Sequence, residues 1–110
     1  MDSPQIVVFG SLNMDLMVRV PRAPRGGETL RGLGFLANPG GKGANQALAA
    51  RRAGAEVAFV GCRGEDGFAG PATALLLEAG VDLSGLSVVD RPTGIALITV
   101  EESGENAIVV

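Results

Sequence analysis

Residues 43–62 have the sequence GANQALAARRAGAEVAFVGC, and this stretch decides the fold. Its first part, Gly43 to Ala53, is rich in helix-forming residues and is followed by Gly54, a residue type that commonly ends helices. Its second part, Glu56 to Cys62, is a short apolar run that predicts a buried strand, with Cys62 as a small buried side chain. The stretch therefore predicts a helix that leads directly into a strand.

Further elements on both sides extend this unit. Gln5 to Phe9 (QIVVF) predicts a fully buried strand before the helix. Asp66 to Ala79 predicts a second helix, with Asp66 as its N-cap and Gly80 at its stop. Strand–helix–strand units indicate a parallel sheet with right-handed crossovers. Two helices are too few to cover both faces of such a sheet, so we expect a truncated chain, the front part of a larger α/β protein.

Alternating apolar and polar residues predict a second group of strands. Asp15 to Val20 alternates, Gly94 to Glu101 is predicted to be a strand, and Glu28 to Asn38 is expected to be extended. Asn106 to Val110 is predicted to pair with the strand before it across a Ser103-Gly104 turn. We expect these strands to form a small antiparallel β flap, from segments of about 15–38 and 93–110, that is separate from the parallel sheet.

The composition excludes several classes of protein. The chain has 110 residues, 46% hydrophobic and 19% charged, as in one globular domain. A net charge of −3, with four Phe and no Tyr or Trp, argues against nucleic-acid binding. A single Cys and no His offer neither an internal disulfide nor a zinc site. No signal-like or membrane-spanning segment is found, so we expect a cytoplasmic protein without a membrane partner.

Lys42 is the single lysine of a chain that otherwise uses eight arginines. It lies in Gly40-Gly41-Lys42-Gly43-Ala44-Asn45-Gln46, directly before the predicted helix. A cation and free backbone N–H groups at a helix start favour oxygen-rich or anionic ligands. The alternative is a glycine-rich turn in which the lysine has no role. The segment is not a Walker A loop, because Gly43 stands where that loop needs Ser or Thr.

Polar residues at two places in the chain could form one site. Asn13 and Asp15 follow the first predicted strand, at the edge where parallel sheets bind ligands. Gly41, Lys42 and Asn45 open the first helix, whose N-terminal end belongs to the same edge. A carboxylate can accept from two adjacent hydroxyls, and amides can both donate and accept, so the set is suited to a polyol. The alternative role of Asn13 and Asp15 is turn formation.

These segments resemble the ribokinases of the PfkB-type carbohydrate kinase family. Gly10 to Asp15 (GSLNMD) resembles the family's opening strand and sugar-binding turn. Pro39 to Ala47 (PGGKGANQA) resembles its specific N-terminal signature, and Thr93 to Ile98 (TGIALI) resembles the flap strand over the sugar. The resemblance covers the whole chain. It implies a ribokinase-like fold, of which residues 1–110 would be the N-terminal part.

The resemblance implies ATP-dependent phosphorylation of D-ribose to D-ribose 5-phosphate, with Mg2+ and a monovalent cation such as K+. It also implies a homodimer formed through the flap. The residues it assigns to sugar binding are Asn13, Asp15, Gly41, Lys42 and Asn45, with Ala96 and Ile98 as an apolar lid.

The chain departs from the family in one respect, because the Gly-Ala-Gly-Asp motif with the catalytic base, and the ATP site, are not in it. No catalytic, cofactor-binding or metal-binding residue is therefore assigned here. The alternatives are another PfkB sugar or nucleoside kinase, or a non-catalytic sugar-binding or dimerisation remnant.

Overall fold

The computed structural model describes residues 3–110, which form nine elements. In chain order these are β1 (Ile6–Phe9), β2 (Asn13–Val20), β3 (Gly34–Gly40), α1 (Lys42–Arg52), β4 (Val57–Arg63), α2 (Ala69–Ala79), β5 (Leu86–Val88), β6 (Gly94–Glu101) and β7 (Asn106–Val109). The strands form one sheet in the order β1-β4-β5 and a second in the order β3-β2-β6-β7. The predicted α/β class, with a parallel sheet and a separate small sheet, is confirmed.

The core lies between the parallel sheet and the two helices. β4 pairs in parallel with both β1 and β5. The fully buried side chains of Val57 and Phe59 point from one face of β4 towards the helices, where they meet Ala47 of α1 and Leu76 of α2. The buried residues of α1 are glycine and alanine, so this helix packs close to the sheet.

Two burial predictions are wrong in this structure. The pattern of β1 predicts a fully buried strand, but β1 is an edge strand and Phe9 is 84% exposed. Cys62 is predicted to be buried, but it is exposed. The reason is that both helices cover the face of β4 that carries Phe59, whereas Cys62 lies on the opposite face of the same strand.

The second sheet, called the flap below, consists of β3, β2, β6 and β7. Its outer pairs are antiparallel, but its central strands, β2 and β6, run parallel, so the prediction of an antiparallel flap is wrong for this pair. The topology explains the difference. The chain returns through α1, β4, α2 and β5 before it enters β6, so β6 leaves the core in the same direction as β2.

Most element ends lie within two residues of the predicted ones, but β3 begins at Gly34 and not at Glu28, and α2 begins at Ala69 with Phe68, not Asp66, as its N-cap. β6 has the predicted bounds, and Gly80 ends α2 in the left-handed conformation at φ 88°. The turn at Gly104 is also present, with its N–H donating to the Glu101 carbonyl at 2.8 Å. The three-residue strand β5 was not predicted. Within residues 3–110, no helix has both the length and the apolar character to cross a membrane.

Candidate functional site

The flap places Asn13 and Asp15 at its base, on one face of β2. Asn13 is the first residue of this strand and Asp15 the third, so both side chains project to the same side. In the β2–β3 register Asp15 lies opposite Asn38, and in the β2–β6 register it lies opposite Ala96. Both side chains are partly buried, which leaves their polar atoms accessible to a ligand.

Glycines on the neighbouring strands make room for these two side chains. Gly40 of β3 lies beneath the Asp15 carboxylate, and a Cβ at this position would stand 2.6 Å from Asp15 Cγ. Gly94 of β6 lies beneath the Asn13 side chain, whose amide oxygen would overlap a Cβ there. Sequence reasoning missed the roles of Gly40 and Gly94. The available signal was the presence of glycine inside a strand pattern, which often marks a close approach.

Gly41 joins the flap to α1 in a single residue. It follows the last residue of β3, precedes the first residue of α1, and has φ +96°, a conformation that suits glycine. A Cβ at this position would lie 2.6 Å from the Ser11 carbonyl oxygen. The same carbonyl accepts a hydrogen bond of 3.0 Å from the Ala44 N–H. The start of α1 is thereby fixed against the connection between β1 and β2.

A second close approach fixes the same junction. Gly43 and Gly10 pack backbone to backbone, and a Cβ on Gly43 would come within 2.8 Å of the Gly10 Cα. Gly61 also contacts this point, because its Cβ would lie 2.8 Å from the Gly10 carbonyl oxygen. The glycines of this signature therefore serve two purposes. Gly41 and Gly43 allow dense packing of the helix start, and Gly40 accommodates Asp15.

Lys42 and Asn45 lie on the exposed side of this helix start. Lys42 is the first residue of α1, and Asn45 follows one turn later. Within residues 3–110 Lys42 forms no ion pair, and the first turn of α1 contains no acidic residue. The positive end of the helix dipole and the ammonium therefore act together, without an opposing charge on the first turn. This arrangement favours ligands with negative charge or many oxygen atoms.

β6 adds an apolar surface beside the polar groups. Ala96 is buried opposite Asp15, and Ile98 lies opposite Met17, one step further up the flap. Leu36 and Ile108 continue the same face on the outer strands, at register positions next to Met17 and Ile98. A ligand held by Asp15 would therefore meet apolar side chains on its flap side.

The structure places some of the predicted site residues next to one another and others further along their strand or helix. Asn13, Asp15 and Ala96 are direct neighbours in the flap register, and Gly41 and Lys42 come immediately after β3. Ile98 and Asn45 lie further out, one along β6 and the other along α1. The surface is open on the side away from the flap, since Lys42 and Asn45 are both exposed.

Known proteins are similar to this chain over most of its length. Residues 3–110 match the family described as pfkB family carbohydrate kinase. The chain is 43% identical over 112 residues to a ribokinase of Schizosaccharomyces pombe and 42% identical over 106 residues to a ribokinase of Haemophilus influenzae. In both comparisons 96% of this chain is covered. It spans about 35% of the length of these curated relatives.

Solved structures of ribokinases are also similar to this chain. The structure of Arabidopsis thaliana ribokinase complexed with ribose and ATP superposes with a TM-score of 0.88 at 36% identity, over 97% of this chain and 35% of that one. A ribokinase of Cryptococcus neoformans in complex with ADP gives a TM-score of 0.83 at 42% identity, over 97% of this chain and 34% of that one.

Proposed function

Because the chain belongs to the pfkB family of carbohydrate kinases, we propose that it is the sugar-binding portion of an ATP-dependent ribokinase. The reaction would transfer a phosphoryl group from ATP to the 5-hydroxyl of D-ribose. The main support for the proposal is that Asp15, the backbone of Gly40 and the start of α1 all lie at the base of the flap. Lys42 is the first residue of that helix. The relatives named above support the choice of ribose over other sugars.

Each site residue has a chemical role in this proposal. The Asp15 carboxylate accepts hydrogen bonds from two adjacent sugar hydroxyls, which is a geometry that a vicinal diol satisfies. Asn13 and Asn45 each donate and accept, so they pair with hydroxyls that do both. Lys42 and the backbone at Gly41 donate to the remaining oxygens.

The apolar residues act by excluding water. Ala96 and Ile98 cover the bound sugar from the flap, and this strengthens the hydrogen bonds beneath them. Oriented in this way, the reactive hydroxyl is held at one position, and positioning is a large part of catalysis in phosphoryl transfer.

We propose that ATP, Mg2+ and a monovalent cation bind to residues outside this chain. Within residues 3–110 there is no group of three or more His, Cys, Asp or Glu side chains that could hold a metal ion. The described residues therefore do not fit a metal site, and no step of the reaction is assigned to them through a metal. A cytoplasmic location likewise stays a prediction.

We also propose that the complete protein is a homodimer through the flap. The face opposite Asp15 carries an apolar groove of about 350 Å³ whose lining includes Leu16, Val18, Phe35, Leu97 and Val109. Phe35 and Val109 are each 66% exposed. A second copy of the same face would bury this surface, as expected for a self-complementary two-fold contact.

The proposal is tested with the full-length protein and a panel of D-ribose, D-fructose and adenosine. ADP release and the phosphorylated product are measured with each acceptor. We expect D-ribose 5-phosphate as the main product, with kcat/KM highest for ribose. Preference for fructose or adenosine would assign the site to another kinase of the family, and absence of ADP release with all three would indicate a non-catalytic protein.

A further inference from the structure

A side-chain hydrogen bond holds the connection from β5 to β6, and it joins the core to the flap. Asp66 lies in the loop before α2, and its Oδ2 accepts a hydrogen bond of 2.8 Å from the backbone N–H of Thr93. Thr93 directly precedes β6, and it is 2% exposed. Its Oγ1 in turn accepts a hydrogen bond of 3.0 Å from the Gly64 N–H. Asp66 and Thr93 are thus joined across 27 positions of sequence.

The other oxygen of the same carboxylate is bonded to the helix. Asp66 Oδ1 accepts from the N–H groups of Phe68 and Ala69, at 3.1 and 3.2 Å, at the start of α2. One carboxylate therefore bonds to the backbone at the start of a core helix and to the entry of a flap strand. The hydrogen bonds from the Thr93 backbone, and then from its side chain, lower the pKa of Asp66 and keep it an ionised acceptor.

The packing around this link leaves little freedom. A Cβ on Gly64 would lie 2.7 Å from the Thr93 nitrogen and 3.0 Å from Asp66 Oδ2, and it would overlap the Arg91 carbonyl oxygen. The glycine is buried. The backbone of residues 64–66 therefore packs directly against the backbone of residues 91–93, and the Asp66 carboxylate lies between them.

Thr93 is important because β6 begins at the next residue. Gly94 pairs with Asn13, and Ala96 pairs with Asp15, so the entry point of β6 sets the position of both pairs. Two of the three connections between core and flap are fixed at the Gly10–Gly43 and Ser11–Gly41 approaches. The third runs from β5 to β6, and Asp66 holds its last residue before the strand.

We propose that Asp66 and Thr93 are positioning residues that hold β6 in register over the sugar site, and so set sugar affinity without touching the sugar. This inference rests on the proposed function for its kinetic consequence. The link itself is independent of the substrate.

The test uses Thr93→Val and Asp66→Asn in the full-length protein. Valine keeps the shape and the backbone N–H of Thr93 but removes the hydroxyl. Asparagine keeps the size of aspartate, but it retains one carbonyl oxygen where the carboxylate has two acceptors. Thr93→Ser is the rescue variant. Asp82→Asn is the matched control, because Asp82 accepts from the Ser84 N–H in a similar turn remote from the flap.

Two measurements separate the inference from the proposed function. We expect the ribose KM to rise about fivefold to tenfold in both test variants, with the ATP KM within about twofold of the parent. We also expect amide hydrogen exchange in β6 to accelerate about fivefold without ligand, and exchange in α1 to stay unchanged. Thr93→Ser and Asp82→Asn should match the parent in both.

Unchanged exchange in β6 together with an unchanged ribose KM would overturn the positioning role, and the kinase assignment would stand. Equal rises in ribose and ATP KM would also overturn it, because they indicate a general loss of structure. Faster exchange in β6 of a protein that phosphorylates no sugar would support the positioning role and reject the proposed function.

Discussion

The Asp15 carboxylate packs directly against the backbone of Gly40, and the space between them is too small for another carbon atom. A Cβ on Gly40 would lie 2.6 Å from Asp15 Cγ, well inside van der Waals contact. The two residues belong to paired strands, Asp15 to β2 and Gly40 to the last position of β3. The orientation of the carboxylate therefore depends on a missing side chain in the neighbouring strand.

Gly40→Ala in the full-length protein is expected to turn the Asp15 carboxylate away from its position and to raise the ribose KM at least about tenfold. The ATP KM should change little. Gly34→Ala is the control, because Gly34 opens the same strand and a Cβ there meets open space. Steady-state kinetics with each substrate varied would check this, and a normal ribose KM in Gly40→Ala would show that the contact does not orient Asp15.

Asp15→Asn is expected to weaken sugar use far more than ATP use. The amide can accept hydrogen bonds at one end only, so a charge-assisted bond to the sugar is lost, at a cost on the order of 1.5–3 kcal/mol. This corresponds to a loss of about tenfold to hundredfold in kcat/KM for ribose. Glu78→Gln, an exposed change on α2, controls for the altered net charge. Unchanged ribose kinetics would remove Asp15 from the site.

Gly43→Ala is expected to destabilise the fold by about 1–3 kcal/mol, since the new methyl group would force apart two backbones in a packed junction. A Cβ there would lie 2.8 Å from the Gly10 Cα. Gly70→Ala in α2 is the opposite case, because a Cβ meets open space and alanine favours the helix by about 0.5–1 kcal/mol. Chemical denaturation of both variants would measure the difference, and equal midpoints would contradict the packing argument.

Glu28 should titrate far below the usual range for a glutamate. Its hydrogen bonds with the Arg22 side chain, and then with the Arg25 backbone, lower its pKa from 4.5 to about 2. Because the folded pKa is depressed, the stabilising effect of this contact is complete above about pH 4.5 and is lost as the pH falls towards 2. Carboxyl NMR titration would show this midpoint. In Arg22→Ala the midpoint should rise towards 4.5, and an unchanged value would exclude the ion pair as the cause.

A polypeptide of residues 1–110 purified alone is expected to self-associate. Phe9 on β1 is 84% exposed, and the apolar groove of the flap is open to solvent. Exposed apolar strands are templates for pairing with other chains. Sedimentation at several concentrations would detect association, with Phe35→Lys testing the flap and Phe9→Lys testing the edge strand. A single monomeric species that unfolds in one steep transition would disprove the prediction.

Local patterns in the sequence predicted the elements that are long and regular. The mostly apolar run between Gly94 and Glu101 predicted both ends of β6, and Gly80 marked the end of α2 as its left-handed conformation requires. β5 was missed because three residues, Leu86 to Val88, are too short for a periodic signal. A shared site for Asp15 and Lys42 was expected from the edge rule of parallel sheets and stays a prediction, while the register places Asn13 opposite Gly40, two residues before Lys42.

Features that depend on distant partners could not be predicted in this way. The burial of β1 and Cys62 depends on which face the helices cover, and a single strand pattern does not contain that information. Asp66 was predicted as the N-cap of α2, but that position is held by Phe68, and one oxygen of the Asp66 carboxylate reaches Thr93, far along the chain. The parallel pairing of β2 with β6 likewise depends on the path of the whole chain between them.

Gly41 is the full length of the linker between β3 and α1. A longer linker would let the flap swing while the helix stays at rest. With a single residue, the direction of β3 is set by the helix start, which is itself fixed by the Ser11 and Gly10 contacts. The orientation of the flap at its base is therefore tied to the core through one residue.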